Sequence, residues 1–512
     1  MKRLLLFLTI FLNVVVLQAQ DIIPQPLSLV KGEGFFTVNH KTVIVAARGL
    51  ETRAMFFRDL LKPAMGFEIP VIEKPVRENY ISLVADASLG AEAYQLEVTK
   101  NHITVKAGNE QGIFWGLQTL RQLLPLDVLR EAPVQTSWTI PVVKINDKPQ
   151  FKWRGLMLDV SRTFMNKEQV KKYIDALSYF KLNVLHMHLT DDQGWRLEIK
   201  KYPLLTEKAS RFDTSFHEPP EYEGYYTQAD MKELIAYAAL RNVEIVPEIE
   251  MPGHSSEVFA AYPELSCKGD TLKIHPWTKG YGVHKDVFCA GNDDTFKFLE
   301  AVLDEVVQLF PSKFVHVGAD EVPKEFWKNC PKCQKRIKDE GLKDENELQS
   351  WTVRRMEKYL NSKGKKLVGW DEILEGGLSK SATVMYWRGW LKDIPAKVLE
   401  QGNDMIMSPT THFYIDYTNE KISTQRVYSY QAPFMDGKGA EKILGVQVNF
   451  WSHLDRTVPR IDRQLFPRVI ALAEVGWSQQ ATRNWEEFKP RLQSKLHVLD
   501  IMGIYYMKDY LQ

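Results

Sequence analysis

Three things are scarce in this chain of 512 residues. The first is charge of one sign: 66 Lys and Arg face 65 Asp and Glu, a net of +1. That balance gives no electrostatic footprint for nucleic acid or for an anionic membrane surface. The second is long apolar runs. One stands at the start, where Lys2 and Arg3 precede an almost wholly apolar stretch, 4–17, and Ala19 offers a cleavage point before Gln20. It is short for a bilayer span and reads as an export signal over 1–19, although Leu17 is larger than ideal three residues before the cut. No later segment is apolar and long enough to span a membrane. The third is cysteine, with four in all: Cys267, Cys289, Cys330 and Cys333. None lies in the leader, which argues against a lipid-anchored lipoprotein of the bacterial type. The expectation is an exported protein, periplasmic in a Gram-negative cell.

Export permits disulfides. Cys267 with Cys289 could close one loop, and Cys330-Pro-Lys-Cys333 a tight one. A four-Cys zinc site is the sharper alternative. The two pairs have unlike spacings in different loops, which favours two structural pairs or free thiols.

What is present is an ordinary globular composition, 44% hydrophobic and 26% charged, rich in aromatics, with 13 Trp, 20 Tyr and 25 Phe. The length exceeds one compact core and predicts two domains. Residues 20–148 read as a small α+β domain. The stretch 21–30 is extended, 42–46 and 81–84 are strands, and 94–98 with 103–105 form a hairpin around Lys100-Asn101. Helices are expected over 50–61, stopping before Pro63, and over 112–124. No catalytic constellation stands here, and a platform role is the default. Turn signals over 144–150, between Pro141 and Pro149, place the boundary.

From 149 to 512 the rhythm becomes strand then helix. Strands are expected at 155–160, 184–189, 244–250, 314–318, 366–370, 383–387, 404–408 and 444–450. In one intervening helix Asn166 caps, Gln169 returns the hydrogen bond, and Val170, Ile174 and Leu177 form the apolar stripe. Another runs 346–361 and ends at Gly364. Eight such units read as an α/β fold, a (β/α)₈ TIM barrel preceded by the small α+β domain. In that barrel the active site lies at the carboxyl ends of the strands.

Polar and aromatic residues stand at all eight ends. Asp159 and Arg162 follow the first strand. His186-Met-His188-Leu-Thr-Asp191-Asp192-Gln193-Gly194-Trp195-Arg196 covers the second. Pro247-Glu248-Ile-Glu250-Met-Pro-Gly-His254 follows the third. Phe314-Val-His316-Val-Gly318-Ala319-Asp320-Glu321 ends the fourth. Trp370-Asp371-Glu372, Tyr386-Trp387-Arg388, Tyr414-Ile-Asp416 and Trp451-Ser-His453 complete the ring. A lone Trp at a strand end is usually packing, and a lone Arg usually pairs a neighbouring carboxylate. Several indoles around two adjacent acids instead make an apolar-walled pocket for a sugar ring. Asp and Arg suit vicinal hydroxyls. Like charges at Asp320 and Glu321 push their pKa values apart, as acid-assisted cleavage of a glycosidic bond requires.

The run through His316-x-Gly318-Ala319-Asp320-Glu321, the His186-x-His188-x-x-Asp191-Asp192-Gln193-Gly194-Trp195-Arg196 stretch, Met251-Pro-Gly-His254 and Gly369-Trp370-Asp371-Glu372 resemble glycoside hydrolase family 20, the β-N-acetylhexosaminidases. The resemblance covers essentially the whole mature chain. It implies a substrate-assisted reaction, in which the 2-acetamido oxygen of the sugar is the nucleophile. Glu321 matches the general acid/base, and Asp320 the acceptor of the acetamido N–H. Asp191 with His254 matches the support for Glu321; Asp192 is a weaker match. Tyr414 matches the donor to the acetamido oxygen. Arg162 and Asp416 match the grip on ring hydroxyls, and Trp370, Trp387 and Trp451 the aromatic walls. No metal or organic cofactor is implied, and the partner is a glycan ending in N-acetylhexosamine.

The chain departs from the family pattern in places. Ala319 stands where many members have Gly, Thr163 where His is common, and Glu250 where Asp is usual. His453 replaces a Glu that binds the C4 and C6 hydroxyls. A protonated His453 would attract an anion, which raises a 6-sulfo-N-acetylglucosamine substrate beside the ordinary exo-hexosaminidase reading. A lacto-N-biosidase-like enzyme and a non-catalytic sugar-binding barrel are further alternatives. Retention of both Asp320 and Glu321 argues against the last.

Overall fold

The computed structural model describes residues 21–508, apart from Pro75, Tyr281 and Lys438. The export signal expected over 1–19 lies outside the described residues.

The chain begins with a seven-stranded sheet. Its order is Ser28–Thr37, Thr139–Asp147, Tyr94–Val98, His102–Ala107, Tyr80–Ala85, Val43–Ala46 and Val71–Ile72. The hairpin is present, with Val98 opposite Ile103. Helices Glu51–Met65 and Glu110–Leu123 pack on the sheet, burying Phe57, Leu61, Ile113 and Trp115 against Ile81, Leu96 and Val105. Two local expectations fail. The first helix does not stop before Pro63 but runs to Met65, with Pro63 inside. Pro63 removes one helical hydrogen bond, to the Asp59 carbonyl, and both Asp59 and Pro63 are exposed. Gly66, at φ 72°, then closes the helix by donating to the Lys62 carbonyl. The stretch 144–150 is not all turn either, because Thr139–Asp147 is an inner strand. Pro141 is tolerated there because it pairs with Phe35 beyond a bulge in the first strand, past Val143, where pairing with Val98 ends.

Eight parallel strands then close a barrel, here numbered β1 (Trp153–Asp159), β2 (Val184–His188), β3 (Glu244–Glu248), β4 (Phe314–His316), β5 (Lys366–Trp370), β6 (Thr383–Tyr386), β7 (Asp404–Met407) and β8 (Ile443–Phe450). All eight expected strands are present. Their β-branched runs follow from burial on both faces, by helices outside and by a packed interior. That interior holds Trp153, Val184, Val246, Val368, Trp370, Met385 and Ile406. After β1, helix Lys167–Tyr179 is capped as expected, with Asn166 Oδ1 accepting from the Gln169 amide at 3.0 Å. The Gln169 side chain does not return the bond; it donates to Tyr173 Oη instead. Helix Glu345–Ser362 is capped by Asp344 and precedes Gly364 at φ 75°.

The two parts meet through buried charge. Lys181 and Asp147 pair at 3.1 Å with both side chains fully buried. Arg154 on β1 grips Glu92 through two nitrogens, at 3.0 and 2.9 Å. Trp477 donates to Asp147 at 2.9 Å. Among the described residues no helix is long and apolar enough to cross a membrane.

Candidate active site at the carboxyl ends of the barrel strands

β4 breaks after His316 into a left-handed turn: Gly318, Ala319 and Glu321 have φ of 62°, 68° and 45°. Non-glycine residues hold such angles only when surroundings impose them. Here the Gln349 amide donates to the Ala319 carbonyl at 2.8 Å, and the Trp370 amide to the Gly318 carbonyl at 2.9 Å. A Cβ at Gly318 would stand 1.7 Å from Glu250 Oε2, so glycine is required twice over. The turn sends the two acids different ways. Asp320 is buried, whereas the Glu321 side chain is 44% exposed.

His254 lies among four carboxylates. Its Nδ1 is 3.3 Å from Asp191 and 3.4 Å from Asp192, and its Nε2 is 3.6 Å from Glu321 and 3.8 Å from Asp320. Burial opposes charge on His254, but Asp191, Asp192 and Glu321 raise its pKa well above the ordinary imidazole value. Burial likewise opposes ionisation of Asp191, yet Arg162, His254 and His188 hold it well below the usual carboxylate range. Arg162 reaches Asp191 at 2.7 Å and Asp159 at 3.3 Å. Asp192 is anchored separately, accepting from the Ser256 amide and hydroxyl at 3.0 and 2.7 Å.

The neighbouring acids do separate in pKa. Burial pushes Asp320 up to about 7, with Glu321 and Glu248 adding to the rise and His254 opposing it. His254, 3.6 Å away, holds Glu321 below its ordinary value against partial burial. As the residues stand, Asp320 is the more readily protonated of the two. A donor entering against Asp320 would favour its anion, and a sugar covering Glu321 would desolvate it, so both shifts would reverse.

Beneath the pair lies a hub that sequence reasoning missed. Glu248, at the end of β3, is fully buried. His316 Nδ1 and the Trp370 indole reach its Oε1 at 2.8 and 2.9 Å, and His186 Nε2 reaches Oε2 at 3.1 Å. His188 Nδ1 bonds the same Oε2, while its Nε2 meets Asp191 at 2.9 Å. Burial opposes charge on both partners. Even so, the histidines hold Glu248 well below its ordinary range, and Glu248 and Asp191 raise His188 to about 10. Burial takes His186 the other way, to about 4. Glu248–His188–Asp191 is therefore a charged relay running from the barrel interior to Arg162 and His254. In the sequence Glu248 stands at the end of the third strand, but nothing there pairs it with His186, His188, His316 and Trp370.

The aromatic residues expected at the strand ends come together. Ring centroids are 5.9 Å apart for Trp370–Trp451 and for Trp387–Tyr414, and 6.2 Å for Tyr414–Trp451. Arg162 lies over Trp451 at 4.9 Å and over Trp277 at 5.2 Å. Trp277 was also missed; it sits in a long loop after β3, 5.0 Å from the His453 ring. The Trp387 indole donates to Glu372 at 2.8 Å, and Asp371 accepts from the Trp387 and Arg388 amides, each at 3.0 Å. Burial raises Tyr414, helped by Asp320, and lifts Asp416 to about 7. Asp320 Oδ1, Asp416 Oδ1 and Arg162 Nε are buried without a protein hydrogen-bond partner. Burial, with Arg162 beside it, lowers His453 to about 4, so its ring is neutral near pH 7.

Chemically, the assembly offers a buried carboxyl, a half-exposed carboxyl held by an imidazolium, unpartnered polar atoms and an aromatic enclosure. Comparison with known proteins extends over most of the chain. The chain is 41% identical to a β-hexosaminidase of Porphyromonas gingivalis over 95% of its own length, and it spans 64% of that relative. It is 28% identical to the β-N-acetylhexosaminidase of Cellulomonas fimi, over 94% of this chain and 95% of that one. The structure superposes on the GH20 β-N-acetylhexosaminidase of Streptomyces coelicolor with a TM-score of 0.85 at 30% identity, covering 96% of this chain and 98% of that one. The β-N-acetylhexosaminidase of Bacteroides fragilis gives 0.84 at 32% identity, covering 95% and 96%. The catalytic-domain model of glycosyl hydrolase family 20 matches residues 151–480, and that family's domain 2 matches 19–148. This chain belongs to glycosyl hydrolase family 20.

Proposed function

We propose that the chain is an exo-acting β-N-acetylhexosaminidase that cleaves terminal β-linked N-acetylhexosamine from glycans with retention of configuration. The observation that carries this reading is the placing of His254 between Asp191 and the two acids, with Arg162 linking Asp191 to Trp451 and Trp451 packing beside Trp370 and Tyr414. Asp320 accepts the acetamido N–H, and Tyr414 donates to the acetamido oxygen, aiming it at C1. The oxygen–C1 bond forms as the glycosidic C1–O bond breaks, and Glu321 gives its proton to the departing oxygen. The resulting oxazolinium is steadied by the Asp320 anion. Glu321 then takes a proton from water as the water adds to C1 and the ring reopens, restoring the acetamide. Arg162 and Asp416 take ring hydroxyls, which fits their unpartnered buried atoms.

The neutral His453 ring favours a hydrogen bond to an O6 hydroxyl over capture of a 6-sulfate. A panel of 4-nitrophenyl glycosides differing at C2, C4 and C6 tests both levels of the reading. Rapid turnover of the N-acetylglucosaminide, with the glucoside and the 6-sulfate far slower, is expected. A preference for the 6-sulfate would reverse the specificity, and equal cleavage of the glucoside would end the mechanism. The leader over 1–19 adds that the enzyme works outside the cytoplasm, which N-terminal sequencing of envelope-fraction protein checks.

A further inference from the structure

The four cysteines take no part in the site above, yet they form a cluster of their own beside it. Cys267 and Cys289 lie in the long segment after β3, which also carries His254. Cys330 and Cys333 flank the start of helix Pro331–Asp339, in the segment after β4 that carries Asp320 and Glu321. Neither pairing expected from spacing is formed, and all four thiols are free. The sulfurs instead converge: Cys267–Cys333 at 3.8 Å, Cys289–Cys330 at 3.7 Å and Cys289–Cys333 at 3.7 Å, with all four within 4.8 Å of one another.

Those distances select a chemistry. A disulfide needs about 2.05 Å. Cys267–Cys333 with Cys289–Cys330 is a pairing whose members both lie this near, yet Cys289 is as close to Cys333 as to Cys330, so the sulfurs form one connected cluster rather than two separate pairs. A tetrahedron of thiolates about a metal at about 2.3 Å has sulfur–sulfur edges of about 3.8 Å. The surroundings fit a closed site. Cys289, Cys330 and Cys333 are buried, among Val287, Val322, Trp327 and Leu348. The two segments also touch backbone to backbone: a Cβ at Gly291 would stand 2.1 Å from the Lys332 carbonyl carbon. Four ligands leave no position open for water or substrate, which is the pattern of a structural ion.

We propose that Cys267, Cys289, Cys330 and Cys333 bind one structural zinc ion that staples the His254-bearing segment to the segment bearing Asp320 and Glu321. Binding displaces four thiol protons to solvent. The path from the cluster to the acids is short on both sides. Val322, next to Glu321, packs in the cluster. Trp327 donates to the Phe288 carbonyl at 2.9 Å, and the Phe288 amide to the Pro252 carbonyl at 3.0 Å, two residues before His254.

The test is elemental analysis of the purified, unmutated protein, joined to thiol titration under denaturing conditions with and without a chelator. One zinc per chain is expected, with four thiols titrating once the metal is released. A cobalt-substituted sample should show the intense absorption of tetrahedral thiolate coordination, and Cys289→Ser should lose the metal. Metal-free protein would overturn the proposal, whether its thiols are all free or all oxidised to disulfides, and so would iron in place of zinc. None of these readouts depends on glycosidase activity, so failure here leaves the proposed function standing.

Discussion

At the scale of single residues, Asp320 and Glu321 differ because their surroundings differ. Glu321→Gln should lower turnover of an N-acetyl aryl glycoside by about 10²–10⁴-fold, as measured by 4-nitrophenol release. Asp320 gives a pH signature. With its carboxyl raised to about 7, kcat/KM should fall as the pH drops through 7, because the steadying anion is lost. Once a sugar amide donates to it, the same limb in kcat should move to lower pH, and Asp320→Asn should remove the limb. Glu250 makes a third case. Burial, with Asp320 and Glu248 nearby, raises its pKa well above the ordinary value, so the folded chain keeps a proton that the unfolded chain releases above about pH 4.5. This group therefore destabilises the fold as the pH rises from there. Glu250→Gln should raise stability near pH 7 by on the order of 1 kcal/mol in denaturant titrations, with the gain vanishing toward pH 4. The acids, His254 and the strand-end tryptophans were legible because each closes a strand in a recognisable motif. The Glu248 hub was not, because Glu248 on β3 meets partners from β2, β4 and β5 only through the register of the barrel.

At the scale of elements, the turn after β4 does the positioning. Gly318→Ala would put a methyl group onto the Glu250 carboxyl in a left-handed conformation. It should cost about 2–4 kcal/mol in thermal or denaturant unfolding and at least tenfold in kcat. Adding Glu250→Asp should recover part of both. An unaffected Gly318→Ala enzyme would show that the turn has slack this geometry denies. The strands themselves were readable because parallel strands buried on both faces carry unbroken β-branched runs. Trp277 was not readable as a partner, and the sequence raised the four cysteines as one zinc site only as the alternative to two pairs or free thiols. Both depend on long loops after β3 and β4, where no periodicity reports how the chain folds back.

At the scale of the whole molecule, the small domain is joined to the barrel by desolvated charge rather than by a flexible linker. Asp147→Ala would leave the Lys181 ammonium buried without its carboxylate. It should destabilise the protein by about 3–5 kcal/mol while leaving kcat at 25 °C unchanged, since neither residue touches the site. The barrel architecture was apparent from eight strand–helix repeats. The small domain was harder, because Thr139–Asp147 carries a proline and turn formers that read as a boundary until its neighbours in the sheet are known. What the small domain and the barrel serve, in the proposed reaction, is attack by a sugar's own amide on its anomeric carbon. The most direct test is a series of aryl glycosides with the 2-acetamido methyl group progressively fluorinated. If the amide oxygen is the nucleophile, kcat/KM falls steeply with each fluorine, as the carbonyl loses basicity. A rate indifferent to fluorination would contradict it.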